Sequence, residues 1–119
     1  MKKTLILGAS PNPERYSYMA AHRLTENHHE IVLVGIKKGE VVGKKILTNK
    51  EIQQGIDTIT LYLSPENQKE WYDYIFKTKP KRIIFNPGTE NKELMLKAKE
   101  NGIEPIEACT LVMLSVGNY

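Results

Sequence analysis

Apolar residues in this chain fall into short, nearly unbroken runs, and between them they recur every three or four positions. The runs at residues 4–7, 30–34, 57–63 and 82–86 are rich in Ile, Val and Leu and are bounded by Gly, Pro and Asn, and a more polar stretch at 104–109 continues the series. Such runs predict strands buried on both faces, as in the middle of a parallel sheet. Helical spacing fills the intervals. Tyr16, Ala20 and Leu24 predict a helix over about 13–26. Ser64 as cap and Pro65 at the first helical position open another, reaching to about residue 78, with Trp71, Ile75 and Tyr72 or Phe76 on its buried stripe. Leu94, Met95 and Ala98 face inward on a helix over about 91–101, which Gly102 ends. Thr110 caps a short final helix through Leu111–Leu114. Residues 40–54 read as short extended pieces, with an edge strand at 45–47 and a single helical turn over 49–54.

Strands alternating with helices imply right-handed crossovers and a mainly parallel sheet. The expected architecture is α/β, a Rossmann-like three-layer sandwich with about five strands, formed by a single domain over residues 1–119. In such sheets ligands bind beyond the carboxyl ends of the strands, where the strand order reverses. The loops at 8–17, 35–39, 63–65 and 86–91 are therefore the places to look for chemistry.

Composition changes this picture little. With 40% hydrophobic and 26% charged residues the chain has an ordinary globular make-up, and its net charge of +3 comes from 17 basic and 14 acidic residues. So mild an excess suits a small anionic ligand at least as well as nucleic acid, and with the aromatics at 62, 71, 72, 74 and 76 not interleaved with arginine no nucleic-acid partner is expected. No apolar run approaches the roughly 20 residues of a membrane span. The lone Cys109 rules out an internal disulfide and points to a reducing, cytoplasmic setting.

The loop after the first strand, Gly8-Ala9-Ser10-Pro11-Asn12-Pro13, departs from the dinucleotide fingerprint G-x-G-x-x-G. Ser10 and Pro13 stand where the second and third glycines belong, which argues against the usual NAD-binding approach of helix to sheet. After the second strand, where NAD-binding units place an acid for the ribose hydroxyl, this chain has Lys37 and Lys38. Cations there suit a phosphorylated ribose, either the 2′-phosphate of NADP or the 3′-phosphate of coenzyme A.

Gly8-Ala9-Ser10-Pro11-Asn12-Pro13-Glu14-Arg15-Tyr16-Ser17, together with Phe85-Asn86-Pro87-Gly88-Thr89-Glu90-Asn91 and Ala108-Cys109-Thr110-Leu111-Val112-Met113, resembles the small stand-alone CoA-binding domain family. That family is similar to the CoA-binding domain of the succinyl-CoA synthetase α-subunit. The likeness spans essentially the whole chain. It implies that Gly8, Ala9, Ser10, Pro11, Asn12 and Pro13 hold the phosphates of coenzyme A, with Arg15, Tyr16 and Ser17 opening the helix behind them. Lys38, in Lys37-Lys38-Gly39, would correspond best to a lysine that meets the adenosine phosphate end, with Lys37 beside it, Leu63, Ser64 and Pro65 would lie along the ligand, and Asn86, Pro87, Gly88 and Thr89 would border the pantetheine route.

The synthetase continues into a domain bearing a phosphorylated histidine, which this chain lacks, so the resemblance implies coenzyme A or acyl-CoA binding without catalysis. No G-x-S-x-G elbow or pair of carboxylates stands at a predicted site. His22, His28 and His29 lack a carboxylate or cysteine at ligand spacing, and no metal is expected. Two other readings keep the same fold. One is an NADP-dependent enzyme; the other is a ligand-free interaction protein whose apolar tail, Leu111–Leu114, packs on a partner or a second copy. Cys109 reads either as an inert core thiol or as a neighbour of the coenzyme A thiol.

Overall fold

A computed structural model describes residues 1–119. One seven-stranded sheet runs through it in the order β3-β4-β2-β1-β5-β6-β7. The strands are β1 (Thr4–Leu7), β2 (Ile31–Val34), β3 (Glu40–Val41), β4 (Lys44–Leu47), β5 (Thr58–Leu61), β6 (Arg82–Phe85) and β7 (Glu104–Glu107). Every pairing is parallel except that of β3 with β4. Without β3, the order is that of the doubly wound dinucleotide-binding fold, and it reverses between β1 and β5.

The helices α1 (Tyr16–Glu26) and α5 (Thr110–Val116) cover one face, and α3 (Tyr72–Thr78) and α4 (Lys92–Glu100) cover the other. Alternation along the strands decides which residue serves which face. Leu5 and Leu7 of β1 join Ile59, Leu61, Ile75, Ile83, Phe85 and Leu94 beneath α3 and α4. Ile6 points the other way, toward Ala21, Leu24, Ile31 and Leu33. On β5 the α5-facing positions are Thr58 and Thr60, both fully buried. Thr60 resolves its burial by sharing a 2.8 Å hydrogen bond with the Thr110 hydroxyl.

The sheet has seven strands rather than about five. The two extra strands are the edge hairpin: β4, and the two-residue β3, formed where the connection from β2 turns back instead of crossing over as a helix. Lys44–Leu47 is thus a strand as the sequence predicts, but β3 covers its outer side and takes the edge. The helical turn expected over 49–54 is absent. That stretch is held in irregular form by Asn49 and Tyr74: the Asn49 side chain accepts from the Glu51 amide at 3.2 Å, and the Tyr74 hydroxyl donates to the Glu51 carbonyl at 2.9 Å.

Three boundaries also shift. α1 starts at Tyr16, not near Pro13, because Ser10 and Asn12 build turns that consume the preceding residues. Tyr16 itself is 69% exposed and lies off the inward face. The helix predicted over 65–78 is divided into α2 (Pro65–Gln68), a 3-10 turn at Lys69–Trp71 and α3. A 3-10 turn superimposes positions three apart, and Gln68 and Trp71 are both buried there. Cys109, not Thr110, occupies the cap position of α5, and Thr110 becomes the first helical residue.

Candidate functional site

Register brings the candidate loops together. Leu7 stands opposite Val34 on one side and Leu61 on the other, so Gly8, Gly35 and Tyr62 leave the sheet side by side at the point where strand order reverses. The Gly8 and Ala9 amides both donate to the Val34 carbonyl, at 2.9 and 3.0 Å. Gly8 has a φ of +96°, and a Cβ there would meet the Tyr62 carbonyl carbon at 3.0 Å. A Cβ on Gly35 would lie 2.6 Å from the Ala9 carbonyl oxygen. Glycine at these two positions lets three strand ends converge without side chains between them.

Beyond Ala9 the chain is shaped by its own polar groups. The Ser10 hydroxyl accepts from the Asn12 amide at 3.1 Å, and the Asn12 side-chain oxygen accepts from the Glu14 amide at 3.0 Å. These consecutive side-chain turns explain Ser and Asn at alternate positions, with Pro11 and Pro13 stiffening the backbone between them. The Arg15 amide closes the loop on the Asn12 carbonyl at 3.1 Å. α1 follows, and the Tyr16 and Ser17 amides have no backbone acceptor, as the first turn of a helix dictates. Their partial positive charge faces the loop.

The result is a cleft of about 470 Å³. Of the residues proposed from sequence, Gly8, Ala9, Ser10, Asn12, Arg15, Tyr16, Ser17, Lys37, Leu63, Ser64, Pro87, Gly88 and Thr89 line it. Pro11, Pro13, Lys38, Pro65 and Asn86 do not. Pro11 packs against Gly39, where a Cβ would come within 2.6 Å of the proline ring, and so ties the first loop to the second. Asn86 is 2% exposed and fully engaged: its amide nitrogen donates to the Thr60 hydroxyl and the Leu61 carbonyl, and its oxygen accepts from the Thr110 amide.

Five lining residues went unread in the sequence: Gly35, Ile36, Tyr62, Asn67 and Trp71. Gly35 and Ile36 fall in a loop already marked for attention, where only the lysines drew notice. Ile36 is 73% exposed, an apolar side chain left in the cleft wall. Tyr62 was assigned to a strand that actually ends at Leu61. Its hydroxyl is buried beside the Thr60 and Thr110 side chains, and burial pushes its pKa up to about 12. Trp71 is a core residue, as its helical spacing implies, that also reaches the cleft.

Gln68 locks the far wall. Its buried amide donates to the carbonyls of Leu63 and Thr89, both at 2.8 Å, and accepts from Asn91 at 2.8 Å. The loops bearing Ser64 and Thr89 are therefore fixed to each other. The donor set is hydroxyls, carboxamides, free helix amides and two cations, Arg15 and Lys37, a chemistry that suits an anionic ligand. No three His, Cys, Asp or Glu side chains gather as a metal site, and no helix is long and apolar enough to cross a membrane.

A family model described as a CoA binding domain matches residues 2–115. A crystal structure described as that of an uncharacterized protein is 58% identical, covers 100% of this chain and 98% of its own, and superimposes with a TM-score of 0.99. A hypothetical protein from Pyrococcus horikoshii OT3 is 28% identical over 97% of this chain and 82% of its own, with a TM-score of 0.86. A Thermus thermophilus structure shares the fold at 17% identity, covering 99% of this chain and 90% of its own, again with a TM-score of 0.86. No protein of curated function matches the chain.

Proposed function

Because this chain belongs to the CoA-binding domain family, we propose that it binds coenzyme A or an acyl-CoA in the cleft at the carboxyl ends of β1, β2 and β5, as one domain over residues 1–119. The observation that carries this reading is the convergence on one cleft of the Ser10–Asn12 turns, the free α1 amides and Lys37. The diphosphate lies over the Ser10–Asn12 turns and the first amides of α1, where donors and a partial positive charge meet an anion. Gly8 and Ala9 contribute shape, since their own amides are spent on Val34. Lys37, with Lys38 beside it, meets the 3′-phosphate. The pantetheine arm runs past Leu63 and Ser64 toward Pro87, Gly88 and Thr89, and Pro11, Pro13, Pro65 and Asn86 support these loops from behind.

The groups facing the ligand bind it without supplying a nucleophile and its base, so the protein acts as a binding module, in a reducing compartment such as the cytoplasm. Thermal unfolding tests this reading, because a ligand that binds only the folded state stabilises it by mass action, by about 2.7 kcal/mol at a hundredfold excess over Kd. Coenzyme A should raise Tm, dephospho-CoA should raise it less, and NADPH should leave it unchanged. A shift with NADPH and none with coenzyme A would replace this reading with that of an NADP-dependent enzyme.

A further inference from the structure

The positive charge of this chain is concentrated in one segment, which runs from the cleft at Lys37 through the edge hairpin, where Lys44 and Lys45 lie in the amino half of β4. Residues 35–50 hold five lysines, at 37, 38, 44, 45 and 50, and a single acid, Glu40, for a net +4; the whole chain is only +3, so everything else carries −1. None of the five stands within ion-pair distance of a carboxylate, although Lys45 faces Glu40 across the β3–β4 ladder. All five are exposed. Only Lys37 lines the cleft. Lys44 and Lys45 belong to a hairpin whose base abuts the phosphate loop: Gly39 packs on Pro11, and the Ile46 amide donates to the Gly39 carbonyl at 2.9 Å.

We infer that Lys44 and Lys45 form an electrostatic guide that draws a polyanionic ligand to the cleft without touching it. The inference rests on the coenzyme A reading, since that ligand brings a diphosphate and a 3′-phosphate. Like charge lining and flanking a cleft raises the rate of encounter with an oppositely charged ligand by roughly 10- to 1000-fold at low salt, and Lys44 and Lys45 flank this one from the edge hairpin a few residues below the strand ends. Charges that never contact the bound ligand leave its dissociation alone, and their effect vanishes once salt shortens the field to less than their distance from the cleft.

Stopped-flow binding of coenzyme A, followed through the only tryptophan, Trp71, separates the two rates. The double substitution K44E/K45E should slow association about tenfold at ~0.01 M ionic strength, where fields reach roughly 30 Å, and leave it within about twofold of the parent at ~1 M, where they reach roughly 3 Å. Dissociation should stay within about twofold at both. The neutral pair K44Q/K45Q should give an intermediate slowing, and unchanged Tm in both variants would show that β4 is intact. Equal association rates at low salt, a loss that persists at high salt, or a change mainly in dissociation would overturn the inference alone. Failure of the unsubstituted protein to bind coenzyme A would overturn the functional reading, and the guide with it.

Discussion

Asn86 shows how a residue can sit at the right strand end and still serve the fold. It follows β6 directly and was placed on the ligand route by its position in the Asn-Pro-Gly-Thr segment. Its three hydrogen bonds instead join β5 to the start of α5 at 2.8, 2.9 and 2.9 Å. Nothing in a linear sequence distinguishes a carboxamide turned outward from one turned under the loop; the buried Thr60 hydroxyl and Thr110 amide that engage it are 26 and 24 residues away. Removing the carboxamide orphans a buried backbone amide and a carbonyl, at about 1–3 kcal/mol each. Asn86→Ala should therefore lower the unfolding free energy by roughly 2–4 kcal/mol in urea, with an unchanged m-value. A loss below about 1 kcal/mol would show that water or a neighbour replaces those bonds.

Among the elements, the helices and central strands were legible because their burial is periodic and local. Ile75, Leu94 and Ala98 turn inward as their spacing requires. β3 and its turn into β4 were not, because a two-residue strand has no period to read and valine stands before Gly43 where such a turn favours asparagine. Val42 and Gly43 both adopt positive φ, +53° and +73°, as a two-residue hairpin turn of this hand demands. A β-branched residue in the left-handed region costs roughly 1–2 kcal/mol, and asparagine bears that conformation better. Val42 is 36% exposed, so the apolar surface given up on replacing it offsets only part of that gain. Val42→Asn should raise stability by about 1 kcal/mol, seen as a Tm increase of roughly 3–6 °C. An unchanged or lower Tm would mean that the valine packs better than its exposure implies.

The molecule as a whole places its two ends to different uses. At the carboxyl ends of the strands the loops open a cleft. At the amino ends the chain closes on itself: the Lys2 amide donates to His29 Nδ1 at 2.9 Å, Tyr119 packs edge-on against His29 at 4.9 Å, and the Tyr119 hydroxyl meets the Thr4 hydroxyl at 2.6 Å. Burial, then the nearby N-terminal ammonium, Lys2 and Arg82, lower the His29 pKa from its usual 6.5. A histidine harder to protonate in the folded state makes the unfolded state bind more protons, so stability falls as pH drops below about 6.5 and levels off once the folded-state pKa is passed. His29→Gln keeps an acceptor for the Lys2 amide and should flatten the decline in Tm between pH 7 and pH 5. An identical decline in the variant would assign it to other groups.

The fold class and the meeting of the candidate loops at the reversal of strand order followed from the sequence, because both depend on alternation and on turn residues at strand ends. What lay beyond it was which side chains point into the cleft, since that depends on where each strand stops and on what the neighbouring loop leaves open. The measurement closest to the central claim is a titration of isotopically labelled protein with coenzyme A, observed through its backbone amide resonances. The amides of Ser10, Asn12, Tyr16, Ser17, Lys37, Ser64 and Thr89 should shift together and saturably, while those of Lys2, His29 and Tyr119 at the opposite end stay in place. Saturable shifts confined to that opposite end, or no shifts at any amide of the cleft, would contradict the account.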